Sequence, residues 1–349
     1  MAASLKYSLH QYAEENELQR LGVWEVDIRD KSKYWIIYIH GGAWRDPRIG
    51  HETFAPIIDR ILLPSSSSPP SSSSSAIAAF ASLDYRLSPH PEFPQDPAET
   101  PARRLRAAAH PDHLDDVRAA LAYLQRRYPG SLVGDNYVLV GHSAGACLAL
   151  QLLHGGGSGS GSSSGSDPTG SDPGRPPLDP EVAAAVEGAS SAAAARPVLP
   201  RALVGFEGVY DFTGLNARMG GGYAGFLTGA FGDPSGWDAA APLKLPGSYG
   251  ERWRWGGRSG SGSGVKPVAA LGWSREDDLI DEPEIDGMAA RLAADGVDTR
   301  VFKDLRGGHD EIWQLHGAGV ARMVFAVLDA VRDADAGAGA SAGAGVGAQ

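Results

Sequence analysis

Apolar residues along this chain fall into short uninterrupted runs that alternate with helix-prone stretches. Runs of this kind predict strands that are buried on both faces, and they cover residues 34–39, 76–83, 137–140, 202–206, 267–273 and 299–302. Helix-prone segments lie at 146–150, around 288–292 and around 312–313. Together these elements predict an α/β fold with a mostly parallel central sheet and helices on both faces.

Four segments rich in serine, glycine or alanine interrupt this pattern, at residues 65–75, 155–177, 256–264 and 334–349. Such segments cannot bury enough apolar surface to offset the entropy of ordering them, so we expect disordered surface inserts and a disordered tail. Loop closure costs rise only slowly with length, so the sheet can tolerate the inserts. The alanine-rich stretch 182–195 predicts one more helix, although glycine and serine at its centre oppose it. We therefore predict a single domain over residues 1–333.

The pentapeptide Gly141-His142-Ser143-Ala144-Gly145 lies between a predicted strand and a predicted helix. A sharp strand-to-helix turn holds a serine hydroxyl above the sheet edge, and flanking glycines avoid the collisions that a Cβ atom would cause. The pentapeptide alone would be modest evidence in a chain with 46 glycines. Its setting between strand and helix predicts Ser143 as a nucleophile.

A glycine-rich loop follows the first buried strand. Its residues are His40, Gly41, Gly42, Ala43 and Trp44. Without side chains at Gly41 and Gly42, backbone N–H groups can come close to a substrate carbonyl oxygen. We predict an oxyanion hole formed by the N–H groups of Gly42, Ala43 and Ala144; the alternative is an ordinary Gly-Gly turn at the end of a strand.

Five acidic residues crowd positions 276–282, directly after the run 267–273. A carboxylate beyond the end of a strand can orient the general base of a hydrolase. The D-x-L-x-D spacing favours Asp277, with Leu279 turned inward to pack and Asp281 as the N-cap of the next helix. Asp278 remains the alternative acid.

His309, in the segment Gly307-Gly308-His309-Asp310, follows the last predicted strand and is the candidate base. The chain order serine, acid, histidine is that of one known form of the hydrolase triad. His40 and His142 are expected to position backbone. His110 and His113 with Asp116 come nearest to a metal site, but their spacing is not convincing. We predict no metal and no cofactor.

These motifs resemble the kynurenine formamidases of the fungal type, within the α/β-hydrolase superfamily. The features that carry the resemblance are HGGAW at 40–44, GHSAGA at 141–146, EGVYDF at 207–212, Asp277 and GGHDEIW at 307–313. The related esterases of the hormone-sensitive lipase group usually have a third glycine where this chain has Ala43-Trp44, and they share Asp84-Tyr85-Arg86-Leu87-Ser88-Pro89. The resemblance covers roughly residues 20–330 apart from the inserts.

The resemblance implies an α/β-hydrolase fold, hydrolysis of N-formyl-L-kynurenine to L-kynurenine and formate in tryptophan breakdown, and often a homodimer. A formyl group needs little room, whereas the leaving group carries an aromatic ring and a charged tail. Aromatic residues in or near the motif loops are candidate pocket walls or, equally, ordinary core; they are Trp44, Tyr210, Phe212, Trp273 and Trp313.

Composition disfavours some classes of binding partner and some cellular locations. The formal net charge of -11 disfavours nucleic acid and anionic membrane surfaces as partners. The first 20 residues contain no apolar signal-peptide core, and no later run approaches 18 uninterrupted apolar residues, which favours a cytoplasmic protein. Cys147 is the single cysteine, so an internal disulfide is excluded.

Two other functions compete with formamide hydrolysis. A general carboxylesterase would use the same triad and differ in the volume of its pocket. A non-catalytic ligand-binding relative would usually have lost one member of the triad, whereas this chain has all three candidates.

Overall fold

The computed structural model describes residues 2–63, 74–155, 196–255 and 266–344. Within them, eight strands form one sheet. The strands are β1 Lys6–Gln11, β2 Arg20–Glu25, β3 Tyr34–Ile39, β4 Ile77–Leu83, β5 Tyr137–His142, β6 Ala202–Phe206, β7 Val268–Ser274 and β8 Asp298–Leu305.

The strands lie in the order β1-β2-β4-β3-β5-β6-β7-β8. Strand β2 is antiparallel to both of its neighbours, and β3 to β8 are parallel to one another. The six apolar runs correspond to β3 to β8. The sequence pattern misses β1 and β2. Strand β1 is an edge strand with a largely exposed surface, and β2 buries only the four residues between Arg20 and Glu25.

Alternate side chains of the central strands enter two different cores. In β3, Trp35, Ile37 and Ile39 pack into one cluster, whereas Ile36 and Tyr38 pack into the other. A strand covered on both faces needs apolar residues at every position, which explains the uninterrupted runs.

Nine helices occur in the described ranges. They are α1 Ala55–Leu62, α2 Asp112–Arg127, α3 Ala144–His154, α4 Phe212–Arg218, α5 Ala224–Phe231, α6 Tyr249–Trp255, α7 Glu282–Ala294, α8 Glu311–Gln314 and α9 Ala318–Ala344. Short 3-10 helices cover Ala2–Ser4, His51–Phe54, Ser74–Ala76, Ala102–Arg104 and Pro234–Ala239.

The helices form a layer on each side of the sheet. Helices α1 and α9 pack against one face, through residues such as Ile57 and Val324. Helices α2, α3 and α7 pack against the other, through residues such as Val117, Leu148 and Met288. Because β3 to β8 are parallel, their carboxyl ends meet at one edge of the sheet, where open α/β sheets place their ligand sites.

The end of the chain differs from the sequence expectation. Helix α9 continues through residues 334–344, which the composition predicts as part of a disordered tail. Alanine is the strongest helix former, so a helix that begins on the core can continue into an alanine-rich segment. Likewise Ser74 and Ser75 belong to a 3-10 helix and Gly155 caps α3.

The other predicted inserts lie outside the described residues, as do the predicted helix 182–195 and residues 345–349. In the four described ranges, no helix combines the length and the apolar character that a membrane span requires.

Candidate active site

Ser143 lies at the turn between β5 and α3, with φ 52° and ψ -119°. This is a rare conformation for a residue with a side chain, and such strain is characteristic of functional turns. A Cβ atom on Gly145 would lie 2.1 Å from the carbonyl oxygen of Ile39, and one on Gly141 would lie 2.6 Å from the Ala146 nitrogen. Only glycine fits at both flanking positions, as the pentapeptide predicts.

The loop after β3 packs directly against the serine. A Cβ atom on Gly41 would lie 3.0 Å from Cβ of Ser143. The next three residues, Gly42, Ala43 and Trp44, have φ values of 86°, 47° and 59°. The chain turns sharply at these three left-handed residues. The Tyr85 hydroxyl holds the start of the loop in place through hydrogen bonds to the carbonyl oxygens of His40 and Gly41, at 3.1 and 3.0 Å.

The backbone N–H groups of Gly42, Ala43 and Ala144 have no backbone acceptor among the described residues, and the same holds for Gly41 and Trp44 in this loop. The first three are the groups that the sequence predicts as oxyanion donors, and that role stays a prediction. Unpaired donors beside a strained serine are able to stabilise a negative charge that develops on a substrate oxygen.

His40 serves the loop through its imidazole. The ring stacks on Tyr85, with centroids 4.4 Å apart and planes 11° apart, and its Nδ1 atom lies 2.9 Å from the Gly41 carbonyl oxygen. Burial lowers the pKa of His40, against the opposing effect of the nearby Asp84 carboxylate. The ring is therefore neutral and supports the backbone of the glycine loop.

His309 follows β8 and meets the acid loop that follows β7. Its Nδ1 atom lies 3.0 Å from Oδ2 of Asp277. The Asp277 side chain is fully buried, and its Oδ1 atom accepts the N–H groups of Leu279 and Ile280 at 2.8 and 3.0 Å. Asp277 is thus fixed on both oxygens, whereas Asp278 is exposed and makes no contact with His309.

The prediction that Leu279 turns inward is wrong. Leu279 is 41% exposed, and Ile280 is the buried residue of this loop, 3% exposed. Because the backbone turns to bring two N–H groups to Asp277, the side chain that points inward is that of residue 280 and not that of residue 279. The Trp273 indole secures that turn by donating to the Ile280 carbonyl oxygen at 2.8 Å. Asp281 caps α7 by position, but its carboxylate pairs with Arg218 instead of a helix N–H group.

The loop of His309 also docks beside the nucleophile. Nε2 of His142, the residue before Ser143, donates to the His309 carbonyl oxygen at 3.1 Å, and the two imidazole centroids are 4.7 Å apart. On the other side, the Gly307 N–H group donates to the Glu276 carboxylate at 2.5 Å. The structure therefore brings the elbow, the acid loop and the histidine loop together.

Glu207 is a buried member of this cluster that the sequence does not identify. It follows β6 with a left-handed φ of 49°, has no exposed surface, and its Oε2 atom lies 3.6 Å from Nδ1 of His309 and from Nε2 of His142. Neither carboxyl oxygen has a hydrogen-bond partner among the described residues. Burial, reinforced by the Asp277 charge, raises the pKa of Glu207 to about 11, so its carboxyl group is neutral. The only sequence signal was its place in EGVYDF.

His142, Glu207 and His309 each offer one possible metal-ligating atom within 4.8 Å of the others. Nε2 of His142 carries the proton that it donates to a carbonyl oxygen, and Nδ1 of His309 faces the Asp277 carboxylate. Protonated nitrogens offer no lone pair, so this set does not suit a metal ion. His110, His113 and Asp116 do not form a metal-ligating cluster in the described ranges; Asp116 pairs with Arg86.

The aromatic residues proposed as walls belong to the core. Trp44, Tyr210 and Phe212 have no exposed surface, and the ring of Trp44 meets that of Phe212 edge-on at 5.8 Å. Trp273 and Trp313 are each 8% exposed. In this conformation the first three side chains offer no surface to a bound molecule.

No model of a known protein family matches the chain. The kynurenine formamidase avaC of Aspergillus versicolor is 31% identical to it over 305 residues, which are 81% of this chain and 84% of the relative. This chain belongs to the kynurenine formamidase family. The kynurenine formamidase-like hydrolase fscH of Fusarium equiseti is 29% identical over 335 residues, or 92% of this chain and 94% of that protein.

Solved structures show the fold of this formamidase-family chain. Esterase LipW from Mycobacterium marinum superposes with a TM-score of 0.55 at 15% identity, over 95% of this chain and 83% of that one. A truncated carbohydrate esterase from gut microbiota gives a TM-score of 0.57 at 14% identity, over 94% and 96%. These likenesses confirm the predicted α/β-hydrolase fold, and the relatives confirm the predicted family.

Proposed function

We propose that this chain hydrolyses N-formyl-L-kynurenine to L-kynurenine and formate, with Ser143 as nucleophile, His309 as general base and Asp277 as the acid that orients it. The names of the relatives support the substrate. The observation that carries the mechanism is the 3.0 Å contact between His309 and the fully buried carboxylate of Asp277, with His309 in a loop docked on the nucleophile elbow.

In the first step, Nε2 of His309 accepts the proton of the Ser143 hydroxyl as Oγ attacks the formyl carbon. Asp277 holds the proton on Nδ1, so that Nε2 is free to act as a base, and it stabilises the imidazolium that forms. The carbonyl oxygen becomes an oxyanion and accepts hydrogen bonds from the N–H groups of Gly42, Ala43 and Ala144. Loss of one such donor typically costs about 3 kcal/mol of transition-state stabilisation.

The tetrahedral intermediate then breaks its C–N bond. The aniline nitrogen leaves with the proton of the His309 imidazolium, and the formyl group remains on Ser143 as an ester. Water attacks this ester while His309 accepts one of its protons; the C–Oγ bond then breaks, His309 returns the proton to Oγ of Ser143, and the formic acid that departs ionises to formate. An anilide nitrogen shares its lone pair with the ring and leaves more readily than an alkylamine, so the reaction resembles ester hydrolysis.

The test is kcat/KM of the purified protein on N-formyl-L-kynurenine beside p-nitrophenyl acetate and butyrate, with Ser143→Ala as the control. A preference for the formamide that is lost in the variant supports the proposal. Ester turnover with a negligible formamide rate would overturn it in favour of a carboxylesterase. Turnover of neither substrate would favour the non-catalytic, ligand-binding class.

We also propose a homodimer, which the family resemblance supports, in the cytoplasm, as the sequence composition predicts. Light scattering coupled to size-exclusion chromatography measures the oligomeric state, and fractionation of the source cells measures the location.

A further inference from the structure

Arg45 directly follows the glycine loop that carries the oxyanion donors. Its side chain is partly buried, yet it forms no ion pair or hydrogen bond within the part of the chain that the structure describes. Arg48, three residues later, pairs with Asp46 at 2.6 Å. The two arginines of this loop therefore differ: Arg48 has a carboxylate partner and Arg45 has none.

The environment of Arg45 is aromatic. Its guanidinium carbon lies 5.7 Å from the centroid of the Phe226 ring, a cation–π distance. Burial lowers the pKa of Arg45, although the carboxylates of Glu92 and Asp46 oppose this effect. The group stays charged because the ordinary pKa of arginine is so high. A partly desolvated guanidinium without an anion has the capacity to bind one.

The aromatic surface continues from Phe226 towards the acid loop. The Tyr223 ring lies 5.0 Å from the Phe226 ring, and the Tyr223 hydroxyl donates to the Leu279 carbonyl oxygen at 2.5 Å. Burial, with the charge of Asp277 next in importance, raises the pKa of Tyr223 to about 12. Tyr223 and Phe226 are partly exposed residues, whereas Trp44, Tyr210 and Phe212 are fully buried.

Arg45, Tyr223 and Phe226 thus form a rim, referred to below as the cationic rim. Arg45 directly follows the oxyanion loop, and Tyr223 bonds to the loop that carries Asp277, so the rim connects the two loops. One end is cationic and the middle is aromatic. A leaving group that combines an aromatic ring with an anionic tail carries the two features that match these side chains.

We propose that the cationic rim is the leaving-group subsite, in which Tyr223 and Phe226 contact the aromatic ring and Arg45 binds the carboxylate of the amino-acid tail. This assignment rests on the proposed function, and it names the substrate class as aromatic formamides that bear an anionic group. The charges of Glu92 and Asp46 act on Arg45 but neither carboxylate forms an ion pair with it among the described residues, so a bound carboxylate would be its first ion-pair partner.

The test compares N-formyl-L-kynurenine with its decarboxylated analogue, which keeps the ring, the ketone and the amine. In Arg45→Met, the ratio of kcat/KM for the acid to that for the analogue should fall by roughly 10- to 100-fold, the usual effect of losing a hydrogen bond to a charged group. Arg45→Lys keeps the charge and should recover part of the ratio. Arg48→Met is the matched control and should keep the wild-type ratio.

Two results would overturn the subsite: a ratio in Arg45→Met within threefold of wild type, or an equal fall in Arg48→Met. A second measurement does not depend on formamide hydrolysis. In the p-nitrophenyl acetate assay, L-kynurenine should inhibit the wild type more strongly than its decarboxylated analogue does, and Arg45→Met should abolish that difference. If L-kynurenine inhibits the wild type more strongly than the analogue does but the enzyme does not turn over the formamide, the proposed function is contradicted and the subsite is supported. Equal inhibition by both compounds would contradict the subsite.

Discussion

Replacement of Asp277 by asparagine changes one atom of the proposed triad and keeps its shape. In the wild type, Oδ1 of Asp277 accepts two backbone N–H groups and Oδ2 faces Nδ1 of His309. The asparagine oxygen must take the Oδ1 position, because an amide NH₂ group cannot accept those two hydrogen bonds. Its NH₂ group therefore faces Nδ1 of His309.

This orientation reverses the tautomer of the base. Nδ1 must accept a hydrogen bond from the amide, so the imidazole proton moves to Nε2, which can then no longer accept the Ser143 proton. The negative charge that would stabilise the imidazolium is lost as well. From the effect of this change in other hydrolases with such a triad, we expect kcat to fall about 10⁴-fold, equivalent to about 5 kcal/mol.

The matched control is Asp278→Asn, at the neighbouring exposed position. The assay is kcat on N-formyl-L-kynurenine for both variants, with thermal unfolding to show that each is folded. Asp278→Asn should stay within twofold of wild type. The reasoning is refuted if folded Asp277→Asn keeps more than a tenth of wild-type kcat, or if Asp278→Asn loses as much as Asp277→Asn does.

Three further predictions concern stability, each measured by equilibrium unfolding. Gly145→Ala places a Cβ atom 2.1 Å from a backbone oxygen and should lower the free energy of unfolding by about 3 kcal/mol or prevent folding. The control is Gly229→Ala on α5, where a Cβ atom meets nothing within 4 Å; it should raise the free energy of unfolding by up to about 1 kcal/mol. Equal effects of the two variants would contradict the packing argument. Trp44→Ala should cost about 3–5 kcal/mol; a loss below 1 kcal/mol would contradict its place in the core. The pKa of Glu207 is raised from 4.5 to about 11, so between these two pH values the folded state keeps a proton that the unfolded chain releases. The free energy of unfolding of the wild type therefore falls as the pH rises from 4.5 towards about 11. Glu207→Gln lacks this loss, and its stability relative to wild type should rise by about 1.4 kcal/mol per pH unit between pH 5.5 and 7.5; a flat difference would show that Glu207 is ionised in the folded protein.

Local chemistry made much of the fold predictable. An uninterrupted apolar run such as 137–140, too short for a helix of its own, fits the interior of a sheet covered on both faces. The elbow was predictable for the same kind of reason, because Gly141 and Gly145 occupy positions where a Cβ atom would strike neighbouring backbone. The edge strand β1 lacks such a signature, since half-exposed strands tolerate polar residues.

Local composition alone did not predict the structure of segments whose environment is set by distant parts of the chain. The alanine-rich residues 334–344 were expected to be disordered because they are poor in large apolar side chains, but they extend a helix that is already anchored on the core. For the aromatic residues nearest the motifs, such as Trp44 and Phe212, the sequence leaves pocket wall and core equally open, and the structure places them in the core.

The sequence by itself determined the strand runs, the elbow at Ser143, the glycine loop and the position of His309, because each depends on a few adjacent residues and on backbone geometry. Tertiary structure decided which carboxylate faces His309, that Glu207 lies beside it, and which aromatic rings keep exposed surface beside Arg45. These outcomes depend on distances between loops that are far apart in the chain. The turn after Asp277 is an example. It exposes Leu279 and buries Ile280, and a shift of the turn by one residue would reverse this although the loop has the same composition.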